Sequence, residues 1–536
     1  MKRFPRACLL ALVLTLHPGA TRAGETLYNG IVLPDAWPPT RTPEELAART
    51  PQPVPYLQHP PAVIPIDVGR QLLVDDFLIE SSTLTRVHHQ PKLYAGNPVL
   101  RPETPPELEG RGPMAMPFSD GVWFDPADQL FKMWYLCGYG KQTALATSRD
   151  GLQWTRPEFD VRPGTNVVFI GDRDSQTVWM DLRDSDPKRR YKMWRGHFEN
   201  KQFGLSLYFS PDGVHWGDRV LRTALTGDRS TVFYNPFRQV WIYSLRHGWS
   251  GPRARKYWEV KDLLKDPMWT ALPDAPTWLI SDSLDPMRED LKTIPQLYNF
   301  DAVAYESLMV GLFVIWSGDM NIPPGRPKPN TVFAGYSRDG FHFDRPDRRA
   351  FLPVSETKGD WNWGNVQSAG GGFMVVKDEL WFYFSGRGGG NDGKTRDGSG
   401  STGLATLRRD GFASVHAEAA GGTLTTRPLT FKGTHLFVNA TAAQGELKAE
   451  ILDEKGAAIA PFSAENCEPL RQDSTRAELH WKGAPDLAAI AGKPVRVRFQ
   501  LKSGDLYAFW VTPDAGGASH GYVAAGGPGF AKPTDE

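Results

Sequence analysis

A strand–turn–strand unit, present in five copies, sets the tightest limit on the architecture of this 536-residue chain. Its clearest copy is 117–136, PFSDGVWFDPADQLFKMWYL. A short strand enters a tight Asp-Pro turn and leaves as an aromatic-rich strand. The pattern returns at 175–194, 230–243, 300–316 and 371–384. A hairpin repeated at this scale predicts a radial or stacked array of small sheets.

A second repeat follows the hairpins. Residues 148–154 (SRDGLQW), 210–216 (SPDGVHW) and 337–343 (SRDGFHF) share the form S-x-D-G-x-x-aromatic, and 409–412 (RDGF) is a worn copy. The Asp-Gly pair supplies a turn with positive φ, and the aromatic fills the gap between sheets. The aspartates are 62 apart (150 to 212), then 127 (212 to 339), then 71 (339 to 410). The middle gap is double the first, so one copy has decayed, and 256–264 (KYWEVKDLL) stands in its place. Five units of about 60–70 residues are long for propeller blades but reachable with loops. The expected fold is all-β: a five-bladed β-propeller followed by a C-terminal β-sandwich.

Aromatic content of 12%, with 18 Trp, 53 Gly and 45 Pro, agrees with an all-β protein. Lys and Arg number 61 and so do Asp and Glu, which argues against a nucleic-acid partner. Residues 1–23 read as a secretory signal: Lys2, Arg3 and Arg6, an apolar run, then Thr21-Arg22-Ala23. That run is too short to span a bilayer, so a secreted or periplasmic protein with no membrane partner after cleavage is expected. Cys137 and Cys467 fall in different expected domains and predict two buried thiols.

Residues 24–64 are Pro-rich and read as a strap or linker, and 65–412 as the propeller. The strand-like run 71–80 (QLLVDDFLIE) is expected to join the last blade or cap the rim. Residues 413–515 read as the sandwich, and 516–536, rich in Gly, Ala and Pro, as a disordered tail. The Gly-rich loop 386–402 lacks the spacing of a phosphate loop.

Aligned on their turns, the hairpins superpose Asp125, Asp181, Asn235 and Glu306, which are expected to be turn residues. Near the entry of the inner strands stand Asp120, Asp174, Asp228 and Asp301. Inner strands line the axis, so these four acids should converge on one mouth. The returning strands exit there with Arg195, Arg246 and Arg387, which could hold a substrate carboxylate or sulfate or pair with the aspartates. His247 and Trp363 join them as substrate-binding candidates; Trp361 and Trp194 are further rim aromatics, although most Trp should pack blades. No histidine has metal-ligand spacing and no G-x-S-x-G elbow is present, so no metal or cofactor is expected. Paired carboxylates at a mouth suit glycoside hydrolysis, one as acid and one as base or nucleophile.

On FSDGVWFDPADQLFKMWY, LLVDDFLIE and the S-x-D-G-x-x-W repeats, the chain resembles the five-bladed-propeller glycosidases. That group contains invertase-like family 32 and arabinanase-like family 43. The similarity is greatest to secreted bacterial family-32-like proteins of unknown activity. It implies a carbohydrate substrate and places Asp120 at the position of nucleophile or base. Asp172-Arg173-Asp174 stands where R-D-P is expected, and Asp228 is the nearest carboxylate to the third-blade acid. The repeats also resemble the Asp-boxes of sialidases. Asp120 is expected as base or nucleophile and Asp228 as acid, with Asp174 and Asp301 tuning them. The rival expectations are a non-catalytic carbohydrate-binding propeller, a sialidase-like hydrolase of acidic sugars, and an interaction domain whose mouth is plugged by 386–402.

Overall fold

The computed structural model describes residues 24–247, 252–318, 328–389 and 398–536, with the side chain of His247 outside the described residues. The signal read at 1–23 and much of the 386–402 loop lie outside them as well.

The chain is nearly all-β. Five antiparallel sheets follow one another along it. The first holds Ala115–Asp125, Leu130–Cys137, Gln142–Ser148 and Val167–Phe169. The second holds Gln176–Met180, Tyr191–Glu199, Gln202–Ser210 and Leu221–Arg222. The third holds Thr231–Asn235, Val240–His247, Ala254–Val260 and Thr277–Ile280. The fourth is built on Gln296–Glu306, Leu308–Trp316 and Asn330–Ser337. In the fifth, Asn365–Ser368 pairs with Glu379–Arg387, then Gly400–Arg408, then Lys92–Leu93.

The first strand of each sheet touches the first strand of the next, and the fifth touches the first. Side chains stitch these neighbours together. Trp123 Nε1 donates to Val178 O at 2.9 Å, and Thr231 Oγ1 to Phe300 O at 2.7 Å. Each S-x-D-G turn leans on the preceding sheet. Gly151, at φ 75°, lies under Tyr383 of the fifth sheet, whose hydroxyl donates to Gly151 O at 2.7 Å. Gly213 sits against Trp134 of the first sheet, and Phe341 O accepts from Trp278 Nε1 of the third at 2.8 Å. Within each turn, the Asp carboxylate takes two backbone N–H groups, at 2.8–2.9 Å. The aspartate therefore shapes the loop, and the aromatic after it fills an inter-sheet gap.

Two more sheets share a second apolar core. One contains His435–Thr441, Asp473–Glu478 and Gly504–Thr512, the other Glu446–Leu452, Arg496–Lys502 and Gly422–Thr426. The run 71–80 belongs here rather than to the fifth sheet. Gln71–Leu72 pairs with Gly504–Thr512, and Ile79–Ser82 with Gly422–Thr426. Leu73, Phe77 and Leu78 are buried in the second core while Leu72 and Val74 are buried in the first, so the run lies between the two cores. Lys92–Leu93 closes the fifth sheet in its stead.

The stretch 516–536 is ordered, contrary to the expected disorder. Tyr522–Val523 pairs with the fourth sheet's first strand. Ala524 N donates to Ala304 O, Ala525 N to Phe373 O and Val375 N to Gly526 O, at 2.9–3.1 Å. The tail thus runs across the turn end of the ring. Its small residues permit that approach: a Cβ on Gly521 would sit 2.1 Å from Glu306 Oε2, and one on Gly527 1.7 Å from Val375 O.

Candidate functional site

At the opposite end, five sheets deliver polar side chains to one point. The first sheet's inner strand bulges between Met116 and Gly121, with Phe118 at φ 49° and Ser119 at φ 68°. Two adjacent non-glycine residues in this region store strain, about 1–3 kcal/mol each. The bulge is pinned by Ser385 Oγ, which accepts from Phe118 N at 2.9 Å, and by Arg229, which donates to Phe118 O and Ser119 Oγ at 3.1 and 3.2 Å. Bulges of this kind re-aim side chains beside active sites.

The bulge carries Asp120, which is fully buried. Arg173, from the entry of the second sheet, donates to both its oxygens at 2.5 and 2.6 Å. Burial pushes the Asp120 carboxyl up, to about 7, while Arg173 pulls the other way. Asp301 lies beside it. Its Oδ2 accepts from Ser119 Oγ at 3.1 Å, Asn299 Nδ2 at 2.9 Å and Ser368 Oγ at 2.5 Å. Burial raises the Asp301 carboxyl too, against those hydroxyls and Arg229. The structure therefore brings Asp120 and Asp301 together through Ser119, but away from solvent.

Asp174 and Asp228 are half-buried and reachable. Asp174 accepts from Ser175 N at 2.8 Å. Asp228 bonds Arg246. Both acids act on Arg246, Asp174 through its field and Asp228 by direct contact. Burial, then the neighbouring Arg253, lowers the Arg246 guanidinium to about 10.

Arg195 donates to Asp172 O at 2.5 Å and lies over the Phe169 ring at 4.9 Å. Burial, then Arg173, lowers it to about 10. Arg387 lies over Phe118 and Tyr139, at 5.1 and 4.9 Å. So the three arginines share the mouth end, on cross-strand partners of the inner strands: Gln176 opposes Arg195, and Asn365 opposes Arg387. Trp363 is half-buried. Trp194 is a packing residue, buried with its Nε1 3.2 Å from Tyr243 Oη, because it sits between the second and third sheets. Trp361 packs on Phe384 of the fifth sheet. The structural reading of the turn residues agrees with the sequence: Asp125, Asp181 and Asn235 each accept a backbone N–H two residues on.

Sequence reasoning missed Arg173, Arg229, Arg253 and Arg255. Arg229 and Arg255 are fully buried; Arg255 donates to Arg229 O at 2.7 Å and to Tyr298 O. A signal for two of them existed. Gly171-Asp172-Arg173 and Gly227-Asp228-Arg229 repeat one G-D-R tripeptide before successive inner strands. Among the described residues no group of three His, Cys, Asp or Glu side chains is placed to hold a metal.

No family model matches the chain, and no curated protein matches it. Glycoside hydrolases are among the solved structures it is similar to, all at low identity. An N-acetylgalactosamine deacetylase from F. plautii is 12% identical, covering 62% of this chain and 96% of that one, with TM-score 0.38. A thermostable family-43 glycoside hydrolase is 10% identical, covering 55% and 93%, with TM-score 0.38. An exo-β-1,3-galactanase from Phanerochaete chrysosporium is 10% identical, covering 76% and 99%, with TM-score 0.33. Likeness at this level assigns no residue a role.

Proposed function

We propose that the chain is a secreted glycoside hydrolase, a five-bladed propeller with a C-terminal sandwich, working at the open end of its axis. The ring of first-strand contacts supports the propeller reading. The observation that carries the function is the pair of reachable carboxylates, Asp174 in the field of Arg246 and Asp228 bonded to it, beside a strained floor.

The roles differ from those expected of the sequence. Asp120 is sealed by a bidentate guanidinium and acts as a positioning residue that fixes Arg173. Asp301 likewise fixes Ser119 and Asn299. Asp228, bonded to Arg246, suits the base or nucleophile, since an opposite charge favours the ionised form. Asp174, with no arginine at ion-pair distance among the described residues, takes the remaining role of proton donor. The donor's proton goes to the leaving glycosidic oxygen as the bond to the sugar carbon breaks. Water supplies the hydroxyl to that carbon: in direct displacement its other proton goes to Asp228, and after a covalent intermediate on Asp228 it goes to Asp174 and restores the acid.

The test is release of reducing ends from a panel of neutral, uronic and sulfated polysaccharides. Wild type should release sugar, and Asp174→Asn and Asp228→Asn should each fall at least about 100-fold. The rival reading, a carbohydrate-binding propeller without catalysis, is favoured by one observation: two of the four acids are bonded to arginine. Retention on polysaccharide without release by wild type would select it.

A further inference from the structure

The third sheet's mouth end holds an excess of positive charge. Arg246 and Arg255 are direct cross-strand partners on Val240–His247 and Ala254–Val260. Like charges placed directly opposite on a sheet repel. Arg229 lies beneath them, its backbone O taking a bond from Arg255. Arg253 stands at the edge, half-buried, its guanidinium 4.2 Å from the centre of the Trp316 ring and 3.1 Å from Gln296 Oε1. Of these four arginines, Arg246 alone has a carboxylate at ion-pair distance among the described residues, namely Asp228. Arg229 and Arg255 use carbonyl and hydroxyl oxygens instead, and the Nε of each is buried without a hydrogen-bond partner.

The other acids do not restore balance. Asp120 is taken by Arg173, and Asp301 faces hydroxyls and an amide. Asp174 opposes the field of Arg229 and Arg246, and Asp301 that of Arg229 and Arg255, which with Asp228 sets three acids against four arginines. Burial lowers the guanidinium of Arg255 well below its ordinary value, and Arg229 and Arg246 push it the same way. Such a cluster is relieved by an anion, and a planar guanidinium fork matches a carboxylate or sulfate.

We infer that the mouth takes a sugar bearing a carboxylate or sulfate, its anionic group held by Arg253 and Arg246 of the third sheet. This rests on the carbohydrate reading of the same mouth and adds the substrate class. It also moves the clamp. Arg195 and Arg387 belong to the second and fifth sheets, whereas four arginines gather at the third.

Two matched pairs test it on the full chain: oligogalacturonate against its methyl ester, and a sulfated galactan oligosaccharide against its desulfated form. Binding is measured by calorimetry. At least one charged member should bind about tenfold or more tighter than its neutral twin, the worth of one charge-assisted bond pair. Arg253→Gln, at a half-exposed site, should erase most of that ratio with the melting temperature held. The paired arms separate carboxylate from sulfate. Absence of a charge preference, including silence across both pairs, overturns the inference, as does a ratio that survives Arg253→Gln. Hydrolysis of a neutral twin without charge preference would sink the inference and leave the hydrolase reading. Arg253-dependent charge preference without hydrolysis would sink the hydrolase reading and leave the inference.

Discussion

The two ends of the ring both bury arginines and acids, yet they do so in opposite ways. At the turn end, Arg70 meets Asp410 at 2.8 Å and Glu306 at 3.4 Å. Arg409 meets Glu306 at 3.2 Å and Asp535 at 3.0 Å. Three acids there share two arginines, each arginine at ion-pair distance from two of them, and the C-terminal tail lies over the network, with Ser519 Oγ bonded to Glu306 at 2.6 Å. At the mouth, arginines outnumber the acids that reach them and two acids stay accessible. A network in which every arginine is paired with acid holds parts of a chain in place. One with arginines in excess and acids left accessible marks a site that waits for a ligand.

The largest expected effect breaks the turn end. Arg70→Met leaves Glu306 and Asp410 buried with only Arg409 against them, and should cost about 3–5 kcal/mol in denaturant unfolding. Removing 516–536 comes next. It strips the inner strands of Val523 and Ala525, both fully buried, and should cost about 3 kcal/mol. A truncated chain as stable as the full one would detach the tail from the architecture. The smallest effect sharpens the mouth. His197 accepts from Arg222, and burial with Arg195 and Arg222 lowers its imidazole to about 4. Its folded value lies below its unfolded one, so its contribution to stability is full above about pH 6.5 and is lost as pH falls toward 4. His197→Gln should flatten that acid limb in melting curves by a few degrees at most.

The hairpins and the S-x-D-G turns were legible because each is a short-range signal repeated along the chain. Their aspartates and glycines shape turns without help from distant residues. Burial of the acids was not legible. Asp120 is sealed by Arg173 from the next sheet, and Asp301 by Ser119 and Ser368 from two others, so their solvent access depends on the closed ring. Of the two expectations for run 71–80, joining the last blade failed because its apolar residues serve both cores, Leu72 and Val74 the first and Leu73, Phe77 and Leu78 the second. The tail misled for a related reason: Gly and Ala read as low order, but here they let a backbone lie against strand edges.

The most direct measurement is turnover per folded molecule for Asp174→Asn and Arg70→Met beside wild type, on whichever polysaccharide wild type cleaves, at a temperature where all three are folded. Asp174→Asn should lose at least about 100-fold in turnover with its melting temperature intact. Arg70→Met should lose melting temperature with turnover intact. Wild-type turnover in Asp174→Asn, or a collapse of turnover in folded Arg70→Met, would contradict the division of labour between the two ends.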